Sequence, residues 1–344
     1  MKKSLVLVVA LAVGAVRADA QNGGLTAPKC TTDGTQPGNV AQDACQQAYD
    51  VYQFMAPQLG LAITGGNATL GQNSTLGGLG HFSLGVRGNV FSGNLPKVDQ
   101  YTQRSTANAA PQNLATKSQV LGLPNADLAI GIFGGLPLAL TNVGGVDLLV
   151  SATYVPTISQ NNINIKPDQN LQFGYGARVG LLSESILVPG VSFTYLKRDL
   201  PTTTITGNAS YTNTLTGTTT TNFAITNAAV KTTGWRVVVS KSLLIISLAA
   251  GGGQDKYDQS ADISATVNGT LPTNFSKSIA VPGTVQTLTR TNYFVDANIN
   301  LLIAKLTAEV GQVSGGTVNT YNTFEAGRAD KSQTYGALGF RIGF

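Results

Sequence analysis

Tyr335-Gly336-Ala337-Leu338-Gly339-Phe340-Arg341-Ile342-Gly343-Phe344 decides the reading of the fold. Leu338, Phe340, Ile342 and Phe344 share one face of a period-two strand, and Tyr335, Ala337, Gly339, Arg341 and Gly343 share the other. Such a strand separates an apolar medium from a polar one. The alternation recurs upstream. Phe82, Leu84, Val86 and Val90 oppose Ser83, Arg87 and Asn89; Leu148, Val150, Ala152 and Tyr154 oppose Asp147, Ser151 and Thr153; Phe173, Tyr175, Ala177, Val179 and Leu181 oppose Gln172, Gly174 and Arg178. A slip of one residue would exchange the faces, so the phase is strongly constrained.

Composition narrows the medium. Only 11% of the residues are charged, against roughly a quarter in an ordinary soluble domain. Glycine is abundant, and Thr, Asn and Ser fill the stretches between apolar runs. After residue 20 no run approaches the roughly 18 consecutive apolar residues of a transmembrane helix. Chains that cross lipid do so as helices or closed barrels, because only these satisfy every backbone group. A soluble β-sandwich would also alternate, but its outer face would carry more Lys and Glu than the Gly, Ser, Thr, Asn and isolated Arg seen here.

Met1-Lys2-Lys3, the apolar run Leu5–Val16 and Ala18-Asp19-Ala20 read as a secretory signal covering residues 1–20, cut before Gln21. The formal charge then falls from +5 to +3 as Lys2, Lys3, Arg17 and Asp19 leave. That mild balance and the lack of a dense basic cluster give no reason to invoke nucleic acid. Ala41–Met55 is the one helix-like stretch, with Cys45, Ala48, Tyr49, Tyr52 and Met55 on a stripe. Cys30 and Cys45 are the only cysteines, and an exported chain predicts a disulfide between them rather than a redox or metal pair. Residues 21–78 are expected to form a periplasmic or lumen-inserted segment, and 79–344 the barrel.

Trp235, Val237 and Val239 are odd-numbered, whereas Leu244, Ile246 and Leu248 are even. The change of phase predicts a tight turn across Ser240–Ser242, and a like change predicts another near Asn300. Long connections at 92–124, 157–170, 200–222, 264–286 and 315–331 alternate with short ones at 135–144, 184–189, 240–242 and 300–301. This predicts an all-β, antiparallel transmembrane β-barrel of about ten strands, with long loops outside and short turns in the periplasm. Twelve strands follow if Thr202–Thr214 or Ile263–Ala280 hides another hairpin. Aromatic residues near strand ends (Phe91, Tyr154, Phe173, Tyr195, Tyr293, Phe344) suit interfacial girdles.

The terminal strand resembles the closing strand of bacterial outer-membrane β-barrels. The resemblance implies that Phe344 is read as an insertion signal by the barrel-insertion machinery, with outer-membrane lipid around the wall. The Gly- and Asn-rich run Ala56–Gly78 is similar in position and texture to the N-terminal hatch of FadL-like transporters, which would plug the lumen.

With the apolar face in lipid, Arg87, Asp127, Asp147, Arg178, Arg198, Arg236, Arg290, Asp296, Lys305, Glu309 and Arg341 line the lumen. They form either a charged path for solutes or a lattice of pairs filling a narrow barrel. A barrel of about ten strands is little wider than side chains can fill, and unpaired buried charge is costly. His81, the only histidine, falls on the lumen phase about 7 Å from Ser83 and lacks a nucleophile–base–acid arrangement. No enzyme activity, cofactor or metal is expected. Asp255, Asp258 and Asp262 read as a solvated strand end rather than a calcium site, and Gly251-Gly252-Gly253 as turn or strand-end glycines. The expected function is passive passage of small solutes, hydrophobic ones if Ala56–Gly78 is a hatch. The alternative is a closed structural or surface-recognition barrel acting through its outer loops.

Overall fold

The computed structural model describes residues 26–344, except 68, 70–73, 139, 161, 214–216, 271–272 and 344. The signal expected over residues 1–20 and the insertion signal expected at Phe344 therefore lie outside the described residues. Ten strands form the wall: β1 (Phe82–Pro96), β2 (Thr116–Phe133), β3 (Gly145–Tyr154), β4 (Leu171–Leu182), β5 (Gly190–Asp199), β6 (Gly217–Leu243), β7 (Ile246–Gly269), β8 (Phe275–Leu301), β9 (Ala304–Ser314) and β10 (Gln333–Gly343). Each pairs antiparallel with its neighbours in sequence. β1 and β10 close the ring in the register Val86↔Phe340 and Arg87↔Gly339. The fold is a closed, up-and-down β-barrel. No described helix is long and apolar enough to cross a membrane.

The predicted strand phases hold in the half of the barrel nearest the short turns. Leu84, Val86, Leu148, Phe173, Val237, Leu248, Val295, Leu306 and Phe340 are exposed outward, while Ser83, Asp147, Arg178, Ser247, Thr307 and Arg341 are buried inside. The two tight turns fall later than predicted, at Leu244–Ile245 and Leu302–Ile303. Leu244 and Leu302 there take positive φ, 56° and 54°, which a two-residue hairpin of matching twist requires. The turn residues are as apolar as the strands, so sequence alternation alone does not mark them.

Farther from the turns the hydrophobic phase inverts. Along β7 the odd residues Tyr257, Ile263, Ala265 and Val267 are buried inward, and the even residues Gln254, Lys256, Ser264 and Asn268 face out. β6 and β8 do the same with Ile225, Val230 and Leu288. Much of the predicted loops 200–222 and 264–286 is therefore strand, continuing the wall beyond the apolar belt. The hairpin that could have made twelve strands exists: Thr203–Asn213 pairs with the first half of β6. It leaves the ring at ten, because the second half of β6 pairs with β5. Ile163–Pro167 and Ile158–Gln160 extend this side sheet.

Inside the ring lies helix α1 (Gln36–Thr64), touching β7, β6, β8, β1, β2 and β5. Thr35 caps it by accepting from Gly38 N. The helix outruns the predicted Ala41–Met55 at both ends, and Ala56–Gly78 is not one irregular hatch, since its first part is helical. Pro57 sits within the helix and removes the donor that Gln53 O would otherwise meet. Gln286 of β8 donates to that carbonyl at 3.4 Å, and Gln259 of β7 donates to Ala56 O. The wall thus supplies hydrogen bonds where the helix cannot. Cys30 and Cys45 are bonded and pack with Val40 and Ala41 against Ala265 and Val267 of β7. Phe54 stacks on Phe324 of the β9–β10 loop, ring centroids 4.1 Å apart. α1 therefore starts among the long loops and runs toward the turns.

Candidate functional site: the arginine cradle under the lumen helix

The last turn of a helix leaves carbonyls without intrahelical donors, and these carry the negative end of the helix dipole. In α1 they are met by side chains from three parts of the wall. Asn89 of β1 donates to Ala62 O at 3.2 Å and adds a second donor at 3.0 Å to Leu61 O, which also accepts from Gly65 N. Arg198 of β5 and Arg236 of β6 donate to Thr64 O at 3.2 and 3.0 Å. Arg87 of β1 donates to Gly65 O at 2.9 Å and also reaches Gly66 O.

The arginines are themselves held. Arg87 Nε donates to Asp127 Oδ2 at 2.5 Å. Arg236 makes a two-pronged contact with Asp255, 2.8 and 3.1 Å, and Asn292 donates to the same carboxylate at 2.9 Å. Arg198 stands near both without a carboxylate of its own within salt-bridge distance among the described residues. The helix carbonyls therefore supply its counter-charge.

Below the helix the chain is suspended from further lumen charges. Glu309 accepts from Asn67 N at 3.2 and 3.1 Å. Asp147 accepts from Leu76 N at 3.1 Å and from Arg178 at 2.9 and 2.6 Å. The Asp147–Arg178 pair is wholly buried. Seven of the residues named from sequence, Arg87, Asp127, Asp147, Arg178, Arg198, Arg236 and Glu309, thus act on the lumen segment or brace a residue that does.

The remaining four lie apart. Arg290 is fully buried but holds the β9–β10 loop, donating to Lys331 O at 2.7 Å and Asp330 O at 3.3 Å. Asp296 accepts from Asn298 at 3.1 Å. Arg341 reaches Ser83 Oγ at 3.3 Å, and half-buried Lys305 stands opposite it in the β9–β10 register.

Sequence reasoning missed Asp255, placed with Asp258 and Asp262 at a solvated end. The three do not converge. Asp255 is buried under Arg236, whereas Asp258 pairs outward with Lys256 at 2.9 Å and Asp262 accepts from Asn227 at 2.8 Å. Odd numbering alone would have put Asp255 inside. His81 is exposed at the start of β1, with Nδ1 3.3 Å from Gly78 O, rather than facing the lumen. Gly251 and Gly253 lie within β7; a Cβ on Gly253 would strike Trp235 O at 1.8 Å, so close strand approach explains that glycine.

At the helix foot a cavity of about 10 Å³ remains, lined by Thr64, Asn67, Thr194, Arg198, Arg236 and Asp255. That is room for about one water. The molecule is a transmembrane β-barrel filled by its own helix. No family model and no curated protein matches the chain. Among solved structures it is similar to the transport unit of the autotransporter AIDA-I from Escherichia coli, with TM-score 0.28 and 10% identity over 88% of this chain and 99% of that one. It is also similar to a Pseudomonas aeruginosa FadL homologue (TM-score 0.24, 6% identity, 77% and 90% covered). A third likeness is to an anion-selective porin from Comamonas acidovorans (TM-score 0.18, 9% identity, 77% and 98% covered). Scores this low fix no relationship, and the barrel assignment rests on the closed ring and its apolar belt.

Proposed function

We propose that the protein is an integral outer-membrane barrel kept shut by its N-terminal helix, acting at the cell surface through the β-structure that rises beyond the belt. The observation that carries this is the dual use of α1. Its foot is fastened to three wall strands by Arg87, Arg198 and Arg236. Its upper turns supply the core of the outer half, where Val51, Phe54 and Tyr52 pack with Tyr257, Leu288, Ile225 and Ile263. Withdrawing the helix would expose that core to water. The long loops then face outward and the short turns the periplasm, as in outer-membrane barrels generally. The outward face of the raised part mixes Thr, Ser and Asn with the charges of Lys231, Lys256, Asp258 and Asp262. An open cleft of about 660 Å³ there is lined by Ser159, Asn164, Thr206 and Asn222 together with Ile163 and Phe223, which suits a neutral partner with both hydrogen-bonding and apolar surface.

A second reading keeps solute passage. At belt height the wall presents Ser151, Thr153, Thr194, Asn298 and Thr307 inward, a lining that would hydrate if the segment after α1 moved. Such a lining favours small polar solutes over hydrophobic ones. Planar-bilayer recordings separate the two. The whole protein is expected to be silent, and channel steps from it would overturn the closed-barrel reading. The combined substitution Arg87→Ala, Arg198→Ala, Arg236→Ala is expected to loosen the foot of the helix. If that variant stays folded on a heat-modifiable gel and then conducts, passage gated by the helix is favoured; if it remains silent, the surface reading stands.

A further inference from the structure

All four connections at the turn end carry apolar side chains at their tips: Leu138, Ile186, Leu187, Leu244, Leu302 and Ile303. Ile186 is 93% exposed and Leu244 98%. Turns that meet water are ordinarily polar. Several polar groups at these tips, in contrast, are turned back into the protein, although Asn142 is exposed. Lys241 Nζ donates to Ser185 O at 2.5 Å and Ile186 O at 2.9 Å, and Glu184 accepts from Ser242 N. The turn carbonyls are taken up by the next hairpin: Asn300 N donates to Ile245 O at 2.8 Å, and Gly343 N to Ile303 O at 3.0 Å. Satisfied backbone together with apolar side chains is what an apolar medium demands.

The height of the belt points the same way. Outward on β7 the apolar run is Ile246, Leu248, Ala250 and Gly252, and Gln254 ends it. At ~3.4 Å per residue that run is about 20 Å along the strand, or about 16 Å of height at a tilt of ~40°. On β10 the run Gly336–Ile342 is no taller, and on β8 Tyr293–Leu301 gives about 21 Å by the same measures. An outer-membrane belt is about 25 Å tall. On the loop side polar residues bound the belt; on the turn side it runs into the tips along β7, β8 and β9, with Lys241 on the outward phase of β6 and exposed Asn142 and His81 beside it.

We infer that the turn tips are immersed in lipid, covered by the acyl chains of the adjoining leaflet rather than by periplasmic water or a protein. The barrel sits low in its membrane, and its raised outer half stands correspondingly far out of it.

The test uses Trp235, the only tryptophan, as an internal standard, since it lies at the loop-side edge of the belt, two residues from Val237 and level with Gln254. In liposomes of phosphatidylcholine with brominated acyl chains, the unaltered protein reports whether the belt itself meets lipid. Quenching there is the condition on which the inference rests, and its failure would count against the membrane reading as a whole. In a Trp235→Phe background, Leu244→Trp and Leu302→Trp then report the tips. Blue-shifted emission, at least twofold quenching by brominated lipid and little by aqueous iodide are expected. Iodide quenching without lipid quenching would place the tips in water, and quenching by neither would place them against protein. Either result overturns the inference. Folding of each variant is checked by gel migration, and Ile186→Trp probes a separate turn should one hairpin not tolerate the ring.

Discussion

Arg236 and Asp255 are 7% and 1% exposed at their side chains and join the wall to the foot of the helix. Removing one partner of such a pair strands the other. Arg236→Ala is therefore expected to cost about 3–5 kcal/mol in denaturant unfolding, whereas Arg236→Met with Asp255→Leu should cost much less. Asp50 of α1 works at the outer end. It accepts from Tyr321 N at 3.0 Å, from Asn322 N at 2.9 Å and from the Asn322 amide at 2.8 Å. Burial pushes its carboxyl up to about 7 despite those donors. Released from the fold it would titrate near the usual 3.8, so the folded chain binds more protons between those values. The contribution of Asp50 to fold stability is thus largest below that window, falls as pH rises through it, and is level above about 7. Denaturant unfolding should show a more stable protein at pH 5 than at pH 8, and Asp50→Asn should reduce the difference. Burial raises Asp43 as well, so Asp43→Asn should reduce it further. The phase of the lumen charges was legible from numbering alone. Their partner was not, because the carbonyls of Leu61–Gly66 carry no signal in side-chain identity.

At the scale of elements, alternation read well where one face meets an apolar medium and the other a polar lumen, as in β1, β4 and β10. It failed in the outer parts of β6–β8. There Ile225, Ile263 and Val267 point inward at a helix and the outward face is Thr, Ser and Asn, so the stretch looked like loop. The helix expected over Ala41–Met55 runs on through Pro57, since the carbonyl that proline leaves open is satisfied by Gln286 from far along the chain. The Cys30–Cys45 bond spans a separation of 15 residues and secures the approach to α1. Cys30→Ser with Cys45→Ser should lower stability by about 3 kcal/mol through loop entropy. It should also speed tryptic cleavage at Lys29 while barrel migration on a gel is retained.

For the whole molecule, strand count and architecture were readable because five long and four short connections leave little choice. The choice between the periplasmic and lumen-inserted placements of residues 21–78 was not, since a polar helix rich in Gln42, Gln46, Gln47, Gln53 and Gln58 has no pattern that distinguishes a barrel interior from solvent. The inversion of phase along β6–β8 bears on how the barrel is made. Its outer half has a soluble protein's core, and α1 supplies the centre of it. A ring joined at β1–β10 around empty space would trap water against Ile263, Val267 and Leu288, and the disulfide-clipped segment ahead of α1 would then have to thread a finished pore. Assembly order is thereby constrained: the helix is expected to enter the lumen before β1 and β10 pair along the register that sets Arg87 against Gly339.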